Sequence, residues 1–296
     1  MFNVIKYKYL FIGFSAVITV LAIASMVLFG FKQGIDFVGG TLWQVRFQSD
    51  SANINFLNEF FRDFGVHDIS VRQGSGDKDF SFRTKELTEA EHQKISQSLG
   101  DKFGQFEELS FSSIGPAIGL ELRNRALAAF LLVLAGISLY IAFAFRKVSY
   151  PVNSWKYGLV TLITLFHDAL IPAGVFSFLG WKLGAEADTN FVVAILVIVG
   201  FSVHDTIVVF DRIRENLLLA KNKEDLDGII NASVNQTFAR SINTSLTLVL
   251  VLVALYLFGA ASMSYFTLLI LIGTITGTYS SIFVASPMLT FFYKQK

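Results

Sequence analysis

Long apolar runs alternate with short polar stretches along most of the chain. Six of the runs, residues 9–29, 126–145, 157–179, 191–210, 238–258 and 265–289, reach the length of about 20 residues that a helix needs to cross a bilayer. The first follows Lys6 and Lys8 and has the outline of a signal peptide. Its apolar stretch is too long for one and no clear cleavage site follows, so it reads as a retained signal-anchor helix. Between the first two runs the periodicity changes. Trp43, Val45 and Phe47 alternate with polar neighbours, as do Ile69 with Val71, Phe80 with Phe82, and Leu109 with Phe111, which is strand patterning. Ile54, Leu57, Phe60, Phe61 and Phe64 recur at helical spacing, and Thr88 with Glu91 forms a capping box for a second helix running to about Lys102. Gly74-Ser75-Gly76-Asp77 is turn chemistry. The order βαββαβ predicts a ferredoxin-like unit, one sheet with two helices on one face. The expected fold is therefore an α-helical polytopic membrane protein with six transmembrane helices and an α+β ferredoxin-like domain between helices one and two. The expected divisions are a signal-anchor helix at residues 1–30, an extracytoplasmic domain at 31–123 and a five-helix membrane bundle at 124–296.

Composition narrows this picture. Of the 296 residues 53% are hydrophobic and only 16% charged, well under the quarter usual in soluble domains. A net charge of +1 gives no basic field for nucleic acid. With no cysteine in the chain, disulfides and thiolate metal or redox sites are excluded. The positive-inside rule sets the orientation. Arg146, Lys147 and Lys156 follow the second run, Arg212, Arg214, Lys221 and Lys223 follow the fourth, and Lys294 and Lys296 close the chain. The loop at 180–190 sets Lys182 against Glu186 and Asp188, and the loop at 259–264 has no charge. Both termini are then cytoplasmic, and residues 31–123 lie outside. Trp155 and Trp181 flank the third run as interfacial anchors.

Candidate chemistry lies inside the apolar runs. The third holds His167-Asp168 and then Pro172; the fourth holds Ser202 and His204-Asp205-Thr206; the fifth opens with Arg240 and carries Asn243, Thr244, Ser245 and Thr247. A carboxylate at bilayer depth costs several kcal/mol unless it is paired, hydrated or protonated. Counting 1.5 Å per residue, Asp205 sits roughly 6 Å and Arg240 roughly 12 Å to the cytoplasmic side of the midplane, within reach of each other. Arg240, Asn243 and Thr247 share one helix face, so a polar seam in the bundle interior is expected, with Ser202 and Thr206 along it. Two readings stand side by side. Asp205 and Arg240 could form a structural ion pair that fixes helix register. Alternatively, Asp205 exchanges a proton as the bundle rearranges, because burial and a movable cation act in opposite senses on its proton affinity. His204 and His167 read equally as proton relays or as hydrogen-bonded interior histidines. Gly273 and Gly277 have the GxxxG spacing of close helix packing. Residues 211–219 read as topology anchors with a solvated face.

Outside the membrane, His67 and His92 read as solvated surface residues. The domain shows no nucleophile–base pair and no metal cluster, leaving a binding or docking module. The chain lacks GxxxxGK[ST], HExxH, GxSxG and SxxK signatures, so no enzyme activity and no catalytic or metal-ligating residue is expected. Work would then draw on an ion gradient or a partner.

Several motifs carry a resemblance. Gly34-Ile35-Asp36-Phe37-Val38-Gly39-Gly40 and Ile114-Gly115-Pro116 resemble the borders of the outer domain in the SecF branch of the SecD/SecF family. The run at 200–216, around His204-Asp205-Thr206, is similar to that family's fourth span. Asn235-Gln236-Thr237 through Arg240-Ser241-Ile242-Asn243-Thr244-Ser245 is similar to the fifth, and Gly277-Thr278-Tyr279-Ser280-Ser281 to the sixth. The short outer loop favours SecF over SecD. The resemblance implies half of an RND-type transporter, paired with SecD, associated with the SecYEG channel and YajC. Such a unit uses the proton-motive force to assist late export of unfolded preproteins across the bacterial inner membrane, with residues 31–123 periplasmic. It implies no cofactor, and H⁺ as coupling ion with Na⁺ as the alternative. Asp205 stands at the family's fourth-span acid and Arg240 at its fifth-span arginine; His204 stands where relatives often carry Asn. The competing function is a half-size RND-like proton-driven exporter of hydrophobic small molecules.

Overall fold

The computed structural model describes residues 3–49, 52–66, 68–74, 76–146, 152–220 and 225–292. His67, Ser75, Lys147, Lys221, Lys223, Lys294 and Lys296 lie outside the described residues. The chain forms two compact units, residues 33–127 and residues 1–32 with 128–296.

The smaller unit has the expected βαββαβ order. It begins with a short helix, α2 (Ile35–Val38; α1 precedes it in the other unit). Strand β1 (Gly40–Phe47) follows, then α3 (Ile54–Asp63), β2 (Ser70–Gln73), β3 (Asp79–Thr84), α4 (Glu89–Phe103) and β4 (Phe106–Ile114). The sheet order is β2-β3-β1-β4 and every pairing is antiparallel. Trp43, Val45, Phe47, Phe80 and Phe82 point from the sheet into one core with Leu57, Phe60 and Phe61 of α3 and Ile95, Leu99 and Phe103 of α4. Asn53 caps α3 by accepting from the Phe56 N–H at 2.9 Å. Thr88 and Glu91 form the predicted capping box.

Two details depart from the simple pattern. The register of β1 against β4 slips between Gln44 and Val45, so that Gln44 faces Ser110 while Val45 faces Glu108. Leu109 is the extra residue of this bulge and is 41% exposed, although alternation with Phe111 had placed it inside. The slip brings Glu108 to His92. That histidine is buried, not solvated: Nε2 lies 2.8 Å from Glu108, and its ring stacks on Phe111 at 3.7 Å and meets Trp43 edge-on at 4.8 Å. Burial of the ring between two aromatics outweighs its polarity because one nitrogen keeps a carboxylate partner.

The glycine motif has a backbone reason. Gly39 and Gly40 have φ of +80° and +121°, outside the range L side chains adopt readily. A Cβ on Gly39 would lie 2.7 Å from Pro116 Cα, and one on Gly119 would lie 2.9 Å from Gly39 N. The turn leaving α2 thus packs directly on the start of the next helix, α5 (Pro116–Ala144). Gly39→Ala is expected to destabilise the smaller unit by about 2 kcal/mol or more, read as earlier proteolysis of residues 33–127 in the full chain. On the opposite sheet face, Arg46 Nε and Nη2 donate to Asp79 at 2.7 and 3.1 Å. That bond holds the Asp79 carboxyl below its usual value. Its stabilisation is therefore present above the ordinary Asp value of about 4 and is lost as pH falls through the depressed one. Asp79→Asn should speed amide exchange in β1 and β3 at neutral pH, with the difference vanishing once the pH falls below the depressed value of the Asp79 carboxyl.

The larger unit holds α1 (Lys8–Phe29), most of α5, α6 (Ser154–Leu183), α7 (Thr189–Ala220), α8 (Leu226–Phe258) and α9 (Ser264–Ser280). After α9 come a π-turn at Ser281–Ala285, the short α10 (Ser286–Met288) and a 3-10 turn to Phe292. Six helical segments among the described residues are long and apolar enough to cross a membrane. Close approach is bought by small residues. A Cβ on Gly174 of α6 would meet Ala22 of α1 at 2.5 Å, and one on Gly158 would meet the Ser138 carbonyl of α5 at 2.7 Å. Both GxxxG glycines of α9 face α7, Gly273 against Ile198 and Gly277 against Ser202, which is the packing role their spacing predicts.

Candidate functional site

Four helices of the larger unit contribute hydroxyls and carboxylates to its interior. Asp168 of α6 is fully buried. Its Oδ1 lies 2.7 Å from His167 Nδ1, and its Oδ2 accepts from Ser202 Oγ of α7 and, at 2.7 Å, from Ser280 Oγ of α9. One turn further along α7, Thr206 Oγ1 pairs with Ser281 Oγ at 2.8 Å. Between α8 and α9, Ser245 Oγ lies 2.5 Å from Thr278 Oγ1. These hydroxyls satisfy one another or their own helix carbonyls, as buried polar groups in hydrocarbon must.

Asp205 is placed differently. It is 5% exposed and lies beside Ser241 of α8, with His204 next to it in sequence. Neither Asp205 Oδ2 nor Ser241 Oγ has a hydrogen-bond partner. His167 Nε2 and Thr274 Oγ1 are also buried without one. Of two interior carboxylates on neighbouring helices, Asp168 meets three side chains, whereas Asp205 has Ser241 beside it and one oxygen, Oδ2, without a partner.

The expected pairing of Asp205 with Arg240 does not form within this chain. Arg240, Asn243 and Thr247 are exposed on α8, and His204 is exposed on α7. The rotation of α8 was not legible in the sequence. Ser233, Thr237, Ser241 and Ser245, spaced four apart, are the buried stripe, and Arg240 falls about 100° away from Ser241. The polar seam therefore splits in two. Ser202 and Thr206 lie inside with Asp205 and Asp168, and Arg240, Asn243 and Thr247 line an outer face. Ser241 of α8 and Ser280, Ser281 and Thr278 of the sixth run belong to the interior set; the hydroxyl residues at 278–281 stand in the sequence without showing that Ser280 is the one that reaches a carboxylate.

The motif residues at the end of α7 also acquire a reason. Arg212 Nε donates to Gln236 Oε1 at 2.6 Å, and Asn216 Nδ2 donates to Ser233 Oγ at 2.8 Å and Gln236 Oε1 at 2.9 Å. They lock the end of α7 to the start of α8. The motif residues Gly34, Asp36, Gly39, Gly40, Gly115 and Pro116 build the α2–α5 junction described above and are not part of this interior cluster. Among the described residues no group of three or more His, Cys, Asp or Glu is arranged to hold a metal ion.

Comparison with known proteins agrees with this architecture. The family described as protein export membrane protein SecD/SecF, C-terminal, matches residues 94–295, and the SecD/SecF GG motif matches residues 24–51. The protein translocase subunit SecF of Thermobaculum terrenum is 44% identical over 300 residues, covering 98% of this chain and 93% of that protein. The protein of the same name from Anaerolinea thermophila is 36% identical, with 98% and 93% covered. The crystal structure of SecDF, a translocon-associated membrane protein from Thermus thermophilus, superposes with a TM-score of 0.82 at 32% identity, over 98% of this chain. SecDF in a super-membrane-facing form gives 0.67, also at 32% identity, over 97% of this chain. In both, the chain spans 38% of the solved chain's length.

Proposed function

Since the chain belongs to the SecD/SecF family of protein-export membrane proteins, we propose that it works as the SecF-type half of a two-part unit completed by a SecD-type chain. The unit uses the proton-motive force to assist late export through the SecYEG channel. The observation that carries this reading is the outer face of α8. Arg240, Asn243 and Thr247 are exposed there, on the same helix whose Ser241 adjoins the buried Asp205. A guanidinium turned toward lipid at that depth costs several kcal/mol, so the face calls for a protein cover that supplies polar partners. A SecD-type chain of related spans is the cover the family offers.

In this reading Asp205 takes up and releases the coupled proton. Arg240 changes its distance from Asp205 as the two halves shift, and the energy of a cation beside a buried carboxylate depends steeply on that distance. The coupled ion is H⁺. The membrane is the bacterial inner membrane, with both termini cytoplasmic and the βαββαβ unit periplasmic, where it contacts the emerging chain. The unit performs no covalent chemistry, because the gradient supplies the work: one charge across 100 mV is worth about 2.3 kcal/mol. Purified from cells that also make a SecD-type chain, the protein should retain that chain in equal amount. Recovery as a homodimer free of it would favour a half-size exporter of hydrophobic molecules and contradict this reading.

A further inference from the structure

We infer that Asp168 is a positioning residue that sets the rotation of α7, and thereby aims Asp205 at α8. This rests on the reading of Asp205 as the proton-exchanging group. Asp168 is wholly enclosed, and three donors occupy its two oxygens: His167 Nδ1 at 2.7 Å, Ser202 Oγ, and Ser280 Oγ at 2.7 Å. These come from α6 itself, α7 and α9, so one carboxylate pins three helices at a single level.

Ser202 stands three residues before Asp205, about 4.5 Å along the helix axis. Any turn of α7 that swings Asp205 away from Ser241 must also pull Ser202 off Asp168. The α9 partner is equally placed. Ser280 is the last residue of α9 before the π-turn Ser281–Ala285, and Thr206 Oγ1 holds Ser281 Oγ at 2.8 Å. π-turns cluster at working positions in helices because their backbone is easily re-paired. Apolar packing alone resists helix rotation weakly, whereas hydrogen bonds to a carboxylate are directional and about twice as strong as neutral ones. Asp168 therefore differs in task from Asp205. Asp168 Oδ2 already accepts from two hydroxyls, while Asp205 Oδ2 is buried without a hydrogen-bond partner.

The titratable groups around the pair are few. His167 adjoins Asp168 on α6, and His204 adjoins Asp205 on α7. Arg240 precedes Ser241 on α8. On α9, Tyr279 turns its hydroxyl to the Phe11 carbonyl at 3.0 Å, and Tyr265 stands in the first turn. The helix α1, packed on α6, carries ionisable side chains only at Lys8 and Tyr9.

The test uses the assembled complex with its SecD-type chain in proteoliposomes under an imposed pH gradient. Asp168→Asn keeps the size and one acceptor oxygen. The variant complex should form in normal amount, lose about tenfold in gradient-driven export, and show a displaced pH midpoint because Asp205 is no longer held in register. Ser280→Ala should displace the midpoint in the same direction by less, and Ser280→Thr, which retains the hydroxyl, should restore it. Amide exchange at 281–285 should quicken in Asp168→Asn. Unchanged rate, midpoint and exchange in Asp168→Asn would overturn the inference. So would a lower rate with an unmoved midpoint, or loss of a separate titration step, which would make Asp168 a second proton carrier. If Asp168→Asn fails to accumulate, the Ser280 pair decides alone: equal midpoints for Ala and Thr overturn it. Full activity of Asp205→Asn would instead defeat the proton-exchange reading, and the exchange measurement would still judge the tie between α6, α7 and α9.

Discussion

Asp205→Asn should abolish the gradient-dependent part of export while leaving the protein and its complex at normal abundance. Asn has nearly the shape of Asp and can use the Ser241 hydroxyl beside it, so packing of α7 on α8 persists. What disappears is the exchangeable proton. With coupling lost, export in the presence of a gradient should fall to the level seen without one, a complete loss of that component rather than a graded one. The check is export from inverted vesicles with and without an imposed gradient, alongside the amount of assembled complex. A purely structural scaffold predicts the opposite pattern: either full gradient-dependent export or failure to assemble.

Arg240→Met carries the second large effect. Methionine matches the length of the arginine stem and is comfortable against lipid or protein, so the variant should assemble with its partner. Without a cation that can approach and leave Asp205, the acid keeps one proton affinity throughout the cycle, and gradient-dependent export should drop at least about tenfold. Arg240→Lys restores charge but not the planar fork, and should recover part of the loss. Co-purification of the partner together with the transport rate decides the matter. Loss of the partner from Arg240→Met would mark the arginine as a register device between the halves.

Much of the architecture was legible because each part announces itself by period. Six apolar runs forecast six long helices, and two-residue alternation with a Thr88–Glu91 cap forecast the βαββαβ unit. Chain pattern could not show the bulge at Leu109, because a one-residue slip in β4 leaves the hydrophobic order nearly unchanged while exchanging the faces. His92 was misread for the same reason: its carboxylate partner Glu108 arrives only through that slip. At the candidate site, residue type and depth pointed to Asp168, His167, Asp205 and Arg240. Helix rotation did not follow, since α8 is apolar around most of its circumference and its small Ser stripe at 233, 241 and 245 is a faint signal against Leu and Val. The division of labour between the two carboxylates was also hidden. It depends on Ser280, which reaches Asp168 across 112 positions of sequence.

The most direct measurement is the infrared difference band of a protonated carboxyl group, followed through a pH titration of the assembled complex. The account predicts one band that titrates, vanishes in Asp205→Asn, and changes midpoint in Arg240→Met. A titrating band that survives Asp205→Asn, or a midpoint indifferent to Arg240, would contradict it.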